Sequence, residues 1–118
     1  MAGLKINIVF ASGARMGPGK AALLESIRDT GSISAAARDM GMDYKRAWSL
    51  LDSMNQAFDT PVVDAAPGGA RGGGARLTPF GSELLRRFRH IEAEARALAE
   101  ADLEALAARA LPERGPKV

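Results

Sequence analysis

Gly31 to Asn55 reads GSISAAARDMGMDYKRAWSLLDSMN, a pattern of two short helices about a glycine turn. Ile33, Ala36, Ala37 and Met40 recur at i, i+3, i+4 and i+7, the spacing of one helix face. Gly41 supplies a C-terminal stop, because glycine takes the left-handed conformation there at little cost. Asp43 is a suitable N-cap for a second helix, whose inward face is Ala47, Leu50, Leu51, Met54 and Phe58. Two short helices joined by a tight turn around a glycine form a helix-turn-helix, whose second helix can enter a DNA major groove.

The outward face of that second helix carries the chemistry. Lys45, Trp48, Ser49 and Asp52 lie opposite the apolar stripe, with Tyr44 and Arg46 beside them. Cationic side chains bond phosphates or guanine edges, serine donates to backbone or base, and aromatic rings pack on sugars or thymine methyls. The competing reading is a plain three-helix core with Trp48 packed at its boundary. Ser32 or Ser34 caps the preceding helix, and either hydroxyl is also placed to reach a phosphate from a helix N-terminus.

Downstream, Asp59-Thr60-Pro61 ends the second helix. Val62 to Ala66 and Ala75 to Leu77 are short strand candidates, and Pro67 to Gly74, PGGARGGG, lies between them as a hairpin tip. Arg71 and Arg76 are the only charged residues from Ala65 to Phe80. A glycine-rich tip presenting arginine suits a minor groove or a phosphate backbone. Two other readings stand beside it: a surface loop with solvated arginines, and an anion nest, which lacks a helix N-terminus directly after the glycines. Leu4 to Phe10, LKINIVF, alternates as a strand, and a small antiparallel sheet of all three strands is the economical arrangement.

GSIS with its small-residue helix, YKRAW, the Met54-Asn55 pair, the GGARGGGA loop and LTPFG together resemble the N-terminal DNA-binding domain of the ModE family of molybdate-responsive repressors. That domain is related to the winged helix-turn-helix of LysR-type regulators. The resemblance covers about Pro18 to Leu85 and implies a dimeric transcription regulator, in which an N-terminal strand joins the wing hairpin. Full-length members of that family carry a C-terminal oxyanion-binding module. With the sequence read to Val118, no such module is expected in it.

Composition narrows the alternatives. The length of 118 residues suits one domain, with 47% hydrophobic residues for its core. There is no cysteine, hence neither a disulfide framework nor thiolate chemistry, which fits a cytoplasmic protein. No apolar run approaches the roughly 20 residues of a membrane span, and the N-terminus does not read as a secretory leader. Residues 1 to 78 hold nine Lys and Arg against seven Asp and Glu, while the remainder balances at seven and seven. The pI is near 9.4, a weak sign of an anionic partner. Ala14 to Ala21, ARMGPGKA, imitates a phosphate-binding loop with Lys20 at its end. Ala21 stands where a Ser or Thr should hold magnesium, and the chain has no further βαβ units to build a nucleotide-hydrolysing domain. A first helix is therefore expected over Ala21 to Thr30, with Leu23, Leu24 and Ile27 inward and Pro18 just before it or in its first turn. No cluster of His and carboxylates has metal-ligand spacing and no nucleophile has a placed base, so neither enzyme activity nor a cofactor is expected.

Thr78-Pro79 starts a last helix, which runs to about Leu111. About 30 residues give roughly 45 Å of helix, more than so small a core covers. Leu84, Phe88, Ile91, Ala95 and Leu98 recur at alternating spacings of four and three, a coiled-coil seam that a second copy would bury. His90, the only histidine, lies beside it without metal or catalytic partners. The expected architecture is mainly α with a small antiparallel β sheet. It divides into a winged helix-turn-helix DNA-binding domain at 1–78, a dimerisation helix at 79–111 and a flexible tail at 112–118. The expected partners are double-stranded DNA, bound at a palindromic site, and a second copy, with an effector-sensing partner chain also possible. An interaction module without DNA binding and a small molybdate or tungstate sensor are the alternatives.

Overall fold

The computed structural model describes residues 2–65 and 74–112. Helix α1 (Pro18–Thr30), α2 (Ile33–Asp39) and α3 (Tyr44–Ala57) follow a short hairpin of β1 (Ile8–Val9) and β2 (Arg15–Met16). A second antiparallel pair, β3 (Val63–Ala65) and β4 (Ala75–Leu77), leads into the long α4 (Pro79–Ala107). This is a winged helix-turn-helix with a long C-terminal helix, mainly α as the periodicity implies.

The helix ends are set by local chemistry. Asp43 Oδ1 accepts from the Arg46 amide at 2.8 Å, Ser32 Oγ from the Ala35 amide at 2.9 Å and Thr78 Oγ1 from the Gly81 amide at 2.9 Å. Gly41 at φ 66° closes α2. Its amide bonds the Arg38 carbonyl at 3.1 Å, and the Met42 amide bonds the Ala37 carbonyl at 3.0 Å, the paired bonds of a left-handed helix stop. Pro18 opens α1 itself, so that helix starts three residues before the expected Ala21. Gly19 and Lys20 therefore lie within a helix and form no phosphate loop. The Lys20 ammonium instead donates to the Arg15 carbonyl at 2.8 Å.

One core is shared by the first three helices, the β3–β4 pair and the start of α4. Leu23, Leu24 and Ile27 from α1 are fully buried, with Ala36 and Ala37 from α2, Ala47, Leu51 and Met54 from α3, and Val62, Val63 and Ala75 from the hairpin. Phe58 packs edge-on against Phe10 and Phe80, with ring centroids 5.3 and 5.2 Å apart.

Two expectations are corrected. The N-terminal strand does not join the wing, and the two strand pairs form separate two-stranded sheets. Only Ile8–Val9 of the expected Leu4–Phe10 is strand, paired with Arg15–Met16 across a turn at Gly13, whose φ is 92°. Closing a turn of a few residues costs less chain entropy than reaching a hairpin more than fifty positions away. The second correction concerns the seam. Leu84 and Phe88 are buried in their own domain, at 9% and 1% exposure. Ile91 and Leu98 are exposed, at 41% and 89%, and Ala95 is half-buried. The same spacing serves the core for the first part of α4 and faces solvent thereafter.

Arg89 marks the place where α4 leaves the core. Its guanidinium donates to both Glu25 carboxylate oxygens, at 2.6 and 3.2 Å, and to Glu92 at 2.7 Å. The hydrogen bonds from Arg89 hold the Glu25 carboxyl below its ordinary value of 4.5, against the opposing effect of burial. A depressed carboxyl pKa stabilises the fold above the ordinary range, and this stability is lost as pH falls through the folded-state pKa. Arg89→Gln is therefore expected to flatten the acid limb of thermal stability. The pair is about one-third exposed, so the change stays within about 1 kcal/mol. Melting temperatures at pH 7 and pH 3 check it; an equal drop in both proteins would refute it.

Candidate nucleic-acid interface

Helix α3 places Ala47, Leu51 and Met54 in the core, which turns the opposite side outward. Tyr44, Lys45, Arg46, Trp48 and Ser49 are all exposed on its first two turns, with Tyr44 at 53% and Trp48 at 49%. Trp48 is half exposed and borders Leu51 and Val63 at the edge of the core rather than lying among the buried residues. Among the described residues no carboxylate pairs with Lys45, Arg46 or Arg76, so these cations are not already neutralised by ion pairs. Asp52, one turn beyond Trp48, is held by Gln56, whose Nε2 donates to it at 2.9 Å.

Ser32 is the N-cap of α2, with its oxygen engaged by the Ala35 amide and its proton free to donate. Ser34 is exposed in the first turn of the same helix. Arg76 is exposed on β4, opposite Asp64 in the register of the pair. Arg71 falls outside the described residues. A cleft of about 280 Å³ runs between α3 and β3, lined by Ile33, Trp48, Leu51, Asp52, Asn55 and Val63 among others. Trp48 thus borders the cleft from α3 and Val63 and Ala65 border it from β3, while Arg76 lines a separate hollow with Gly31 and Asp64. The arrangement offers unpaired cations, hydroxyls and an exposed indole on adjoining elements, the set of contacts that duplex DNA recognition uses.

Sequence reasoning assigned no role to Asn55, although it stands in a motif quoted above. Its side chain bridges α3 to the start of β3, and the only sequence signal is an amide residue near a helix end before Pro61.

Several proteins are similar in sequence. The molybdenum-pterin-binding protein MopB of Rhodobacter capsulatus is 55% identical over 82 residues, covering 70% of this chain and 30% of its own length. MopA of the same organism, also named a molybdenum-pterin-binding protein, is 43% identical over 87 residues, covering 74% and 33%. The DNA-binding transcriptional dual regulator ModE of Escherichia coli K12 is 42% identical over 71 residues, covering 60% and 27%. The chain thus spans about a third or less of the length of these relatives. Residues 20–82, from α1 through the wing to the start of α4, match the helix-turn-helix family as a unit, and the chain belongs to the lysR family of bacterial regulatory helix-turn-helix proteins.

Proposed function

We propose that this chain is a sequence-specific DNA-binding regulator of transcription that acts in the cytoplasm as a homodimer on a palindromic operator. The observation that carries the reading is the exposed, unneutralised face of α3, set beside the base of the wing. Tyr44, Lys45, Arg46, Trp48 and Ser49 read base edges in the major groove. Ser32, Ser34, Arg71 and Arg76 bind phosphates or the adjoining minor groove. Residues 1–78 form the DNA-binding domain and 79–111 the dimerisation helix, whose exposed Ile91 and Leu98, with Ala95, meet a second copy. Two-fold symmetry then sets two recognition helices about one or more DNA turns apart.

The test is retention of fragmented genomic DNA by the purified protein at two salt concentrations, followed by sequencing. Enrichment of a palindromic site that survives moderate salt supports the reading; retention without sequence preference that salt erases leaves only phosphate binding. On a selected duplex, Lys45→Ala is expected to cost about 1–3 kcal/mol of specific affinity while changing random-duplex binding far less. Arg76→Ala is expected to weaken both alike and to reduce the salt slope by about one. Competition binding separates the two, and unchanged affinity in both variants would sink the residue assignment. The names of MopA and MopB favour a second reading, in which an oxyanion such as molybdate modulates binding. Repeating the binding experiment with molybdate present tests it: a shifted affinity supports modulation, an unshifted one rejects it.

A further inference from the structure

The Asn55 side chain makes three hydrogen bonds to the start of β3. Its Oδ1 accepts from the Val62 amide at 2.7 Å and the Val63 amide at 3.0 Å, and its Nδ2 donates to the Val63 carbonyl at 3.1 Å. Asn55 itself lies on the last turn of α3, the helix that carries Lys45 and Trp48. One side chain therefore fastens the reading helix to the hairpin that carries Arg76.

The fastened segment is also held from its other side. The Val62 carbonyl accepts from the Thr78 amide at 3.0 Å and the Thr78 hydroxyl at 3.2 Å, and Val63 pairs with Leu77 across the hairpin. The hairpin thus has anchorages of its own away from α3, to the start of α4 here and, through the Ala75 amide on the Gly31 carbonyl at 2.9 Å, to the end of α1. Removing Asn55 takes away the tie to the reading helix and leaves those anchorages in place.

We infer that Asn55 is a positioning residue for DNA binding, which sets the height and rotation of the β3–β4 hairpin against α3 so that Arg76 and Lys45 engage one duplex together. The inference rests on the DNA-binding reading above. The residue type follows from the bonds: two amides need an acceptor and a carbonyl needs a donor, and a primary amide offers both. Aspartate keeps the acceptor and loses the donor, while glutamine displaces the amide by one methylene.

The experiment is a double-substitution cycle on a labelled duplex taken from the retained genomic fragments. Asn55→Ala and Arg76→Ala are each expected to lower affinity on the order of ten-fold, and the double variant to lose little beyond either alone. The salt slope should fall by about one in Asn55→Ala, because a misplaced Arg76 no longer neutralises a phosphate. Asn55→Asp, which keeps two of the three bonds, serves if the alanine variant does not fold, and its effect must likewise shrink when Arg76 is already alanine. Amide exchange gives a readout without DNA: the Val62 and Val63 amides should lose protection in Asn55→Ala. Additive losses, an unchanged affinity in Asn55→Ala, or unchanged exchange at both amides would overturn the positioning role and leave the DNA-binding reading standing. A parent protein that binds no duplex even at low salt would overturn both.

Discussion

Phe88→Ala is expected to destabilise the fold by about 3–5 kcal/mol, the usual cost of emptying a buried phenylalanine site. Phe88 is among the largest fully buried side chains, and it belongs to the one core shared by α1, α3 and the hairpin. Helix spacing alone places Phe88 in the same stripe as Leu98, yet the two are expected to behave differently. Leu98 is 89% exposed, so Leu98→Glu should leave the helical content intact and, on the dimeric reading proposed above, shift the protein from dimer to monomer. Thermal melting with sedimentation separates the two outcomes. A Phe88→Ala variant that melts with the parent and loses only its dimer would refute the core placement. An unchanged dimer in Leu98→Glu would refute the seam.

Gly81→Ala should cost about 3 kcal/mol or more, an unusually large penalty for one methyl group. Gly81 lies in the first turn of α4, where alanine would ordinarily be preferred. A Cβ there would overlap the Val62 carbonyl oxygen and come within 3.0 Å of the Val62 carbonyl carbon. The obstacle is backbone, and it has little room to move. Val62 is fully buried and held by Asn55 on one side and by Thr78 on the other. Gly19→Ala is the matched control. It too lies in the first turn of a helix, nothing stands within 4 Å of its added Cβ, and it should be neutral or stabilising by up to about 1 kcal/mol. Urea unfolding of both variants checks the contrast, and equal midpoints would show that the close approach of α4 to Val62 is not obligatory.

These contrasts mark the boundary between what was legible and what was not. The helix-turn-helix was legible because its determinants are local. Ser32, Gly41, Asp43 and Thr78-Pro79 act within a turn of where they stand, and the apolar positions of α2 and α3 repeat at the helical period. The outward face of α3 follows from the inward one, so Tyr44, Lys45, Arg46, Trp48 and Ser49 were readable as a set. The hairpin β3–β4 was readable from its strand-like ends and the glycines between them.

Tertiary structure decided the rest, because each remaining feature depends on residues distant in sequence. The partner of the N-terminal strand was set by competition between a nearby hairpin and a remote one, which alternation within Leu4–Phe10 does not reveal. The division of α4 into a buried part ending at Phe88 and an exposed part carrying Leu98 depends on where α1 and the hairpin stop covering it. Spacings of four and three are the same for a helix packed on its own core and one packed on a copy of itself. The groove between Trp48 and β3, and the Asn55 bonds that tie α3 to β3, arise only when the segment after α3 brings Val62 and Val63 to Asn55. Local pattern is enough to specify the elements and the chemistry of the exposed face. Packing alone determined how that face is aligned with the wing, because alignment is set by hydrogen bonds and contacts between elements that no local pattern encodes.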